Sequence, residues 1–167
     1  MCVVGACALV LSACSAAPKS VPPVVSARVV DVVDGDTLIA DIAGRHETIR
    51  LLGIDAPETK HPRRPVECWG PQSAESLRDL LPPGTTVAVR RDVVARDYFG
   101  KLLLYVWRAD GLFVNVELVE RGAARPLTIA PNGVHSDAIV AAAFRAHASR
   151  RGWWAHCTGG ASLGSPP

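Results

Sequence analysis

Apolar residues recur along this chain at two different spacings. Ala27–Val33 and Leu38–Ile42 are short apolar-rich runs of strand length, joined through Asp34-Gly35, a dipeptide that favours tight hairpins. "HETIRLLGI", His46–Ile54, predicts a third strand. In Gly70–Gly84 the spacing becomes helical: Ala74, Leu77 and Leu81 recur on one face, Pro71 suits the first turn, and Pro82 ends the helix. Thr85–Val94 and Lys101–Trp107 predict a fourth and a fifth strand. Phe113–Gly122 predicts a second helix, closed by its glycine. His135–Gly152 predicts a third, with Ser136 or Asp137 capping its start, Ile139, Ala143 and Phe144 on its apolar face, and Arg150 and Arg151 suiting its C-terminal dipole. Three strands, a helix, two strands and two helices make a small α+β domain. A five-stranded, partly open barrel of the OB type with three helices fits that order.

The remaining segments set the boundaries. At 167 residues the chain has room for one domain with a core. "MCVVGACALVLSACSAAP" has no charged side chain and is too short for a stable membrane anchor, so it reads as a secretory core segment. "LSAC" within it is similar to a bacterial lipoprotein box. On that reading residues 1–13 are a signal peptide, Cys14 carries the lipid, and 14–25 is a Pro-rich spacer. The folded domain then occupies 26–157, and 158–167 form a disordered tail. The protein is expected on the outer face of the cell membrane. A plain signal peptide cut near Ala17 leaves simple secretion open.

Export decides the cysteine count. Of five cysteines, Cys2 and Cys7 leave with the signal and Cys14 takes the lipid. Cys68 and Cys157 remain to pair in an oxidising compartment. Closing so long a loop is worth roughly 4–5 kcal/mol in the chain-entropy model.

Net charge is only +2, so polyanion binding has to come from local patches. One such patch follows a candidate reactive stretch. Within "RLLGIDAPETKHPRR" stand Arg50, Asp55 and Glu58, followed by Lys60, His61, Arg63 and Arg64. Asp34 and Asp36 of "DGDT" add carboxylates from the hairpin. Carboxylates at strand ends bind hard cations, an arginine neutralises phosphoryl charge, and a free carboxylate activates water. Together these are the parts of a phosphodiesterase. Arg50 and Asp55 lie five apart, so strict strand alternation would place them on opposite faces. The strand has to bend between them, and Gly53 permits it. Five histidines show no paired ligand spacing, so a zinc site is not expected.

"VVDGDTL", "RLLGIDAPE", "ECWGPQSAES", "DYFGK" and "VNVELVERG" resemble, in order and spacing, the motifs of the thermonucleases, the staphylococcal nuclease-like family. The resemblance runs from Ala27 to Trp154. It implies an OB-type barrel with three helices and a Ca2+-dependent endonuclease cleaving DNA and RNA with little sequence preference. Carried over by position, Asp36 and Asp55 would bind calcium, with the backbone carbonyl of Ala56 as a further ligand. Arg50 would hold the scissile phosphate, and Glu58 would position or deprotonate water. The family's second catalytic arginine falls on Lys101, which implies a slower enzyme. Phe99 stands where the pattern has tyrosine. Leu127 and Ile129 occupy a segment that carries base-stacking tyrosines in the best-known member. Lys60, His61, Arg63, Arg64, Arg96 and Phe99 are candidate nucleic-acid contacts, and Arg96 could supply a missing guanidinium fork. A monomer is expected. The second reading is a catalytically weak OB-fold lipoprotein that binds nucleic acid or protein.

If Cys14 is lipidated, the protein partitions with membranes, and Cys14→Ser releases it or blocks its processing. Stable anchoring takes more than one acyl chain. A mature N-terminus at Ala17 or beyond, read by mass spectrometry, would establish simple secretion instead.

Overall fold

In the computed structural model, which describes residues 24–60 and 65–157, five strands close into a barrel. They are β1 (Val25–Asp34), β2 (Thr37–Ile42), β3 (Arg45–Leu51), β5 (Thr86–Arg96) and β6 (Leu102–Arg108), in the order β1-β2-β3-β6-β5. The ladder runs all the way round, so the barrel is closed and not partly open. A parallel pairing of β3 with β6, Arg50 opposite Leu103, completes it. β1 begins at Val25, inside the segment expected to be spacer, because Val25 already pairs with Val89. The signal segment, most of the spacer, Cys14 and the tail lie outside the described residues, as do His61, Arg63 and Arg64.

Alternation explains the core. Leu38 and Ala40, Ile49 and Leu51, Val87 and Val89, and Leu104 and Val106 are buried two residues apart on their strands. Three helices cover the rest: α1 (Gly70–Leu80), α2 (Val114–Glu120) and α3 (Ser136–Ala148). Leu77 and Leu81, Leu118 and Ile139 are almost fully buried, each worth about 1.5–3 kcal/mol relative to exposure. A four-residue helix, α4 (Trp153–His156), follows Gly152 and was not legible in the sequence. Neither was the two-residue ladder of β4 (Ile54–Asp55) with β7 (Arg125–Pro126). The expected cap of α3 is corrected: His135 is the N-cap, and no side chain caps the helix there.

Two glycines act by permitting close approach. Gly53 has φ +78°, and a Cβ there would meet Ile139 Cδ1 at 2.4 Å. It breaks the third strand into β3 and β4 and lets α3 pack on the break. Gly35 does not use the positive φ for which Asp-Gly hairpins are known. A Cβ there would sit 2.7 Å from the Cβ atoms of Ala56 and Ser73, so its glycine admits the loop after β4 and the start of α1.

Buried polar groups tie the helices to this end of the barrel. Asn115 donates from Nδ2 to the Leu52 carbonyl at 2.9 Å and accepts the Val106 N–H at 2.9 Å. The Ser73 hydroxyl donates to the Ala123 carbonyl. Cys68, just before α1, is joined by a disulfide to Cys157, just after α4, with Cα atoms 5.9 Å apart. Beside it Trp69 stacks on His156, centroids 4.4 Å apart.

His135 sits among Tyr105, Phe113 and Trp107, with ring centroids at 4.6, 5.0 and 5.5 Å. Its Nε2 is buried without a hydrogen-bond partner among the described residues. Burial, and then the nearby Arg90 guanidinium, hold its pKa below 6.5, against an opposing pull from Asp92. The folded state therefore disfavours protonation while the unfolded chain accepts the proton. This contribution to stability is full above the unfolded value of about 6.5 and is lost as pH falls from there through the folded value. Thermal melts between pH 7 and 5 test it: His135→Phe, which keeps a ring in place, is expected to flatten the decline in Tm. An unchanged slope would assign the acid sensitivity elsewhere.

Candidate active site

At the end of the barrel where Gly53 turns the chain, a cleft of about 440 Å³ opens between the β1–β2 turn, the β4 end and the residue preceding β6. Asp36, Arg50, Asp55, Ala56, Glu58 and Lys101, all singled out in the sequence, line it. So does Lys60.

Arg50 is the centre of the arrangement. Its position on β3 is set by pairing with Thr37 of β2, next to Asp36. Its guanidinium donates to Asp55 Oδ1 at 2.9 Å and is ion-paired with Asp36 Oδ2. The same fork reaches the Ile54 carbonyl at 3.4 Å, so Arg50 wraps its own chain's turn. The bend at Gly53 thus brings side chains five apart in an extended run into contact. Asp36 is only 4% exposed, and its charge is met by three contacts on this side of the barrel. These are Arg50, the Thr37 hydroxyl at 2.9 Å and the Ala56 N–H at 2.7 Å.

The loop after β4 is held from both sides. Asp34 accepts the Thr59 hydroxyl at 2.8 Å and the Thr59 N–H at 3.2 Å. Glu67 donates its N–H to the Glu58 carbonyl at 2.9 Å, and its carboxylate accepts the Glu58 N–H at 3.4 Å. The Glu58 carboxylate accepts the Lys60 N–H at 2.8 Å and faces the cleft half-buried.

Sequence reasoning missed three lining residues with chemistry, Glu67, Thr37 and Arg125. Arg125 stands opposite Asp55 in the β4–β7 ladder and approaches Asp55 Oδ2 at 3.4 Å. The only sequence signal was a basic residue after the second helix, which alone carries little. Two expected contacts lie elsewhere. Arg96 is locked to Glu47 by two bonds of 2.9 Å and to the Gly100 carbonyl at 2.7 Å. It lines a neighbouring apolar cleft of about 260 Å³ together with Leu127 and Ile129, so it does not supply a fork to the first cleft. Phe99 is 82% exposed on the Asp97–Gly100 turn beside a still more exposed Tyr98, and lines neither cleft. The two clefts share Arg50.

The donor set bears on a metal. No group of three or more His, Cys, Asp or Glu side chains gathers to hold an ion among the described residues. Asp36 and Asp55, bridged by one guanidinium, still offer two carboxylates to one place, beside the Ala56 backbone. An all-oxygen set completed by a carbonyl and water suits a hard cation such as calcium. Formal charge agrees. Asp34, Asp36, Asp55, Glu58 and Glu67 face Arg50, Lys60, Lys101 and Arg125, leaving one net negative charge among the described lining residues. A divalent cation turns that into one positive charge, the complement of a phosphodiester.

The family model of the staphylococcal nuclease homologues matches residues 48–156. The chain is 31% identical over 129 residues to a thermonuclease of Staphylococcus hyicus, covering 77% of this chain and 75% of that protein. It is 35% identical over 123 residues to a thermonuclease of Staphylococcus intermedius, covering 74% and 72%. It is also 34% identical over 93 residues to endonuclease YncB of Bacillus subtilis, covering 56% and 44%. With the barrel, the order of its motifs and the matched span in agreement, the chain belongs to the staphylococcal nuclease homologue family.

Proposed function

We propose that the protein is an exported, calcium-dependent nuclease that hydrolyses phosphodiester bonds of DNA and RNA with little sequence preference. The observation that carries the reading is one guanidinium, Arg50, bridging two carboxylates in the same cleft as Glu58, Lys60 and Lys101. The relatives named thermonuclease and endonuclease support it.

Each lining residue has a task in that chemistry. Arg50 offers a planar fork to two phosphoryl oxygens. Lys101 adds a point charge on a flexible stem. Glu58, half-buried beside Lys60, accepts the proton of the attacking water as its oxygen bonds to phosphorus and the ester oxygen departs. Bound calcium, held by Asp36, Asp55 and the Ala56 carbonyl, would supply positive charge where the phosphoryl oxygens become more negative. Among the described residues, the walls of the cleft are charged or small and carry no aromatic ring to stack on a base, which fits weak sequence preference. Lipidation at Cys14 would hold the enzyme on the outer face of the membrane.

A barrel that only binds nucleic acid or protein is the second reading, favoured by Lys101 in place of arginine and by exposed Leu127 and Ile129. Denatured DNA incubated with the mature protein and calcium, then with a chelator, separates the two. Cleavage that stops on chelation is expected. Glu58→Gln keeps size and polarity but removes the base, and a loss on the order of 10²–10⁴ in kcat is expected. A Glu58→Gln protein as active as the parent would remove the proposed base from the mechanism.

A further inference from the structure

We propose that Arg125 is the second arginine of the cleft: with Arg50 it grips the phosphodiester, and Lys101 contributes only charge. This rests on the nuclease reading of the cleft. The position the family pattern gives to an arginine is Lys101, whose single ammonium cannot hold two phosphoryl oxygens in a plane. Arg96, the nearest guanidinium in sequence, is spent on Glu47 and the Gly100 carbonyl. Arg125 meets the requirement from a different strand.

Three observations carry the assignment. The backbone of Arg125 is fixed by ladder pairing with Asp55, so its Cα is as well placed as that of the carboxylate. Its guanidinium lies over the Trp153 ring, 5.0 Å from the centroid, which orients the fork before any ligand arrives. Its contact with Asp55 is long, 3.4 Å against 2.9 Å for Arg50, and its side chain stays one-third exposed within the cleft. A guanidinium oriented by an aromatic face but loosely held by its carboxylate has donors left for an anion. Trp153 itself belongs to α4, which the Cys68–Cys157 disulfide and the Trp69–His156 stack fasten beside the loop carrying Glu58. The purely structural alternative is that Arg125 serves only to hold Asp55.

The two roles separate in measurements that do not depend on turnover alone. Binding of a labelled single-stranded oligonucleotide is titrated with salt in the presence of chelator, and cleavage is measured with calcium, for Arg125→Gln and Arg125→Lys. Thermal melts of each variant establish folding. If Arg125 touches phosphate, Arg125→Gln lowers the salt slope of binding by about one and kcat/KM by about 10²–10³. Arg125→Lys, which keeps the charge and a stem over Trp153, keeps the slope and loses most of the rate. Arg125→Gln with an unchanged salt slope, its only effect a shift in the calcium concentration needed for activity, would make Arg125 a holder of Asp55 and overturn the proposal. A parent protein that cleaves nothing but shows the slope change would overturn the nuclease reading and leave Arg125 as a phosphate contact.

Discussion

One ion-paired triad organises this end of the molecule. Asp36 is almost wholly buried, and a buried carboxylate without compensation is costly. Arg50 provides that compensation and simultaneously holds Asp55, so one side chain joins the β1–β2 turn to β4. Removing the guanidinium would leave Asp36 with the Thr37 hydroxyl and the Ala56 N–H alone, a loss of about 3–5 kcal/mol for a buried pair broken on one side. The same contact is what a catalyst of phosphodiester hydrolysis needs, because it keeps a fork and two carboxylates in one place. Structural demand and chemical demand fall on the same atoms.

The rest of the scaffold makes that contact reachable. Gly53 turns the chain in a left-handed conformation, and Ile139 of α3 fills the space a Cβ would take. Asn115 of α2 fixes the Leu52 carbonyl just before the turn. Gly35 lets Ala56 approach the hairpin, and Asp34 ties Thr59 to it. Two sequence-distant segments, the start of α1 and α4, are then fastened by the disulfide around the loop that carries Glu58 and Glu67. The reactive groups therefore sit on loops whose ends are anchored in strands and helices, which is the arrangement that precise positioning requires.

Much of this architecture is legible in the chain. Apolar runs of strand length place all five barrel strands, and helical spacing at Ala74, Leu77 and Leu81 and at Ile139 and Ala143 places two helix faces that are indeed buried. The clustering of Arg50, Asp55 and Glu58 within nine residues marks the cleft, because local sequence proximity survives folding. The bend at Gly53 is also readable, since two groups five apart in a strand can share a ligand only if the strand breaks between them.

What the chain by itself determined is therefore the set of elements and the local cluster of reactive side chains. Tertiary structure alone decided which distant charges join that cluster. Arg125 enters the cleft through a two-residue ladder between β4 and β7, too short to leave a periodic signal, and it is oriented by a tryptophan on a single helical turn that no periodicity could announce. Arg96 looks equally basic in sequence yet is captured by Glu47 from a strand 49 residues away. Charge type is written in the residue, whereas the partner of a charge depends on which strands the barrel's closure brings side by side.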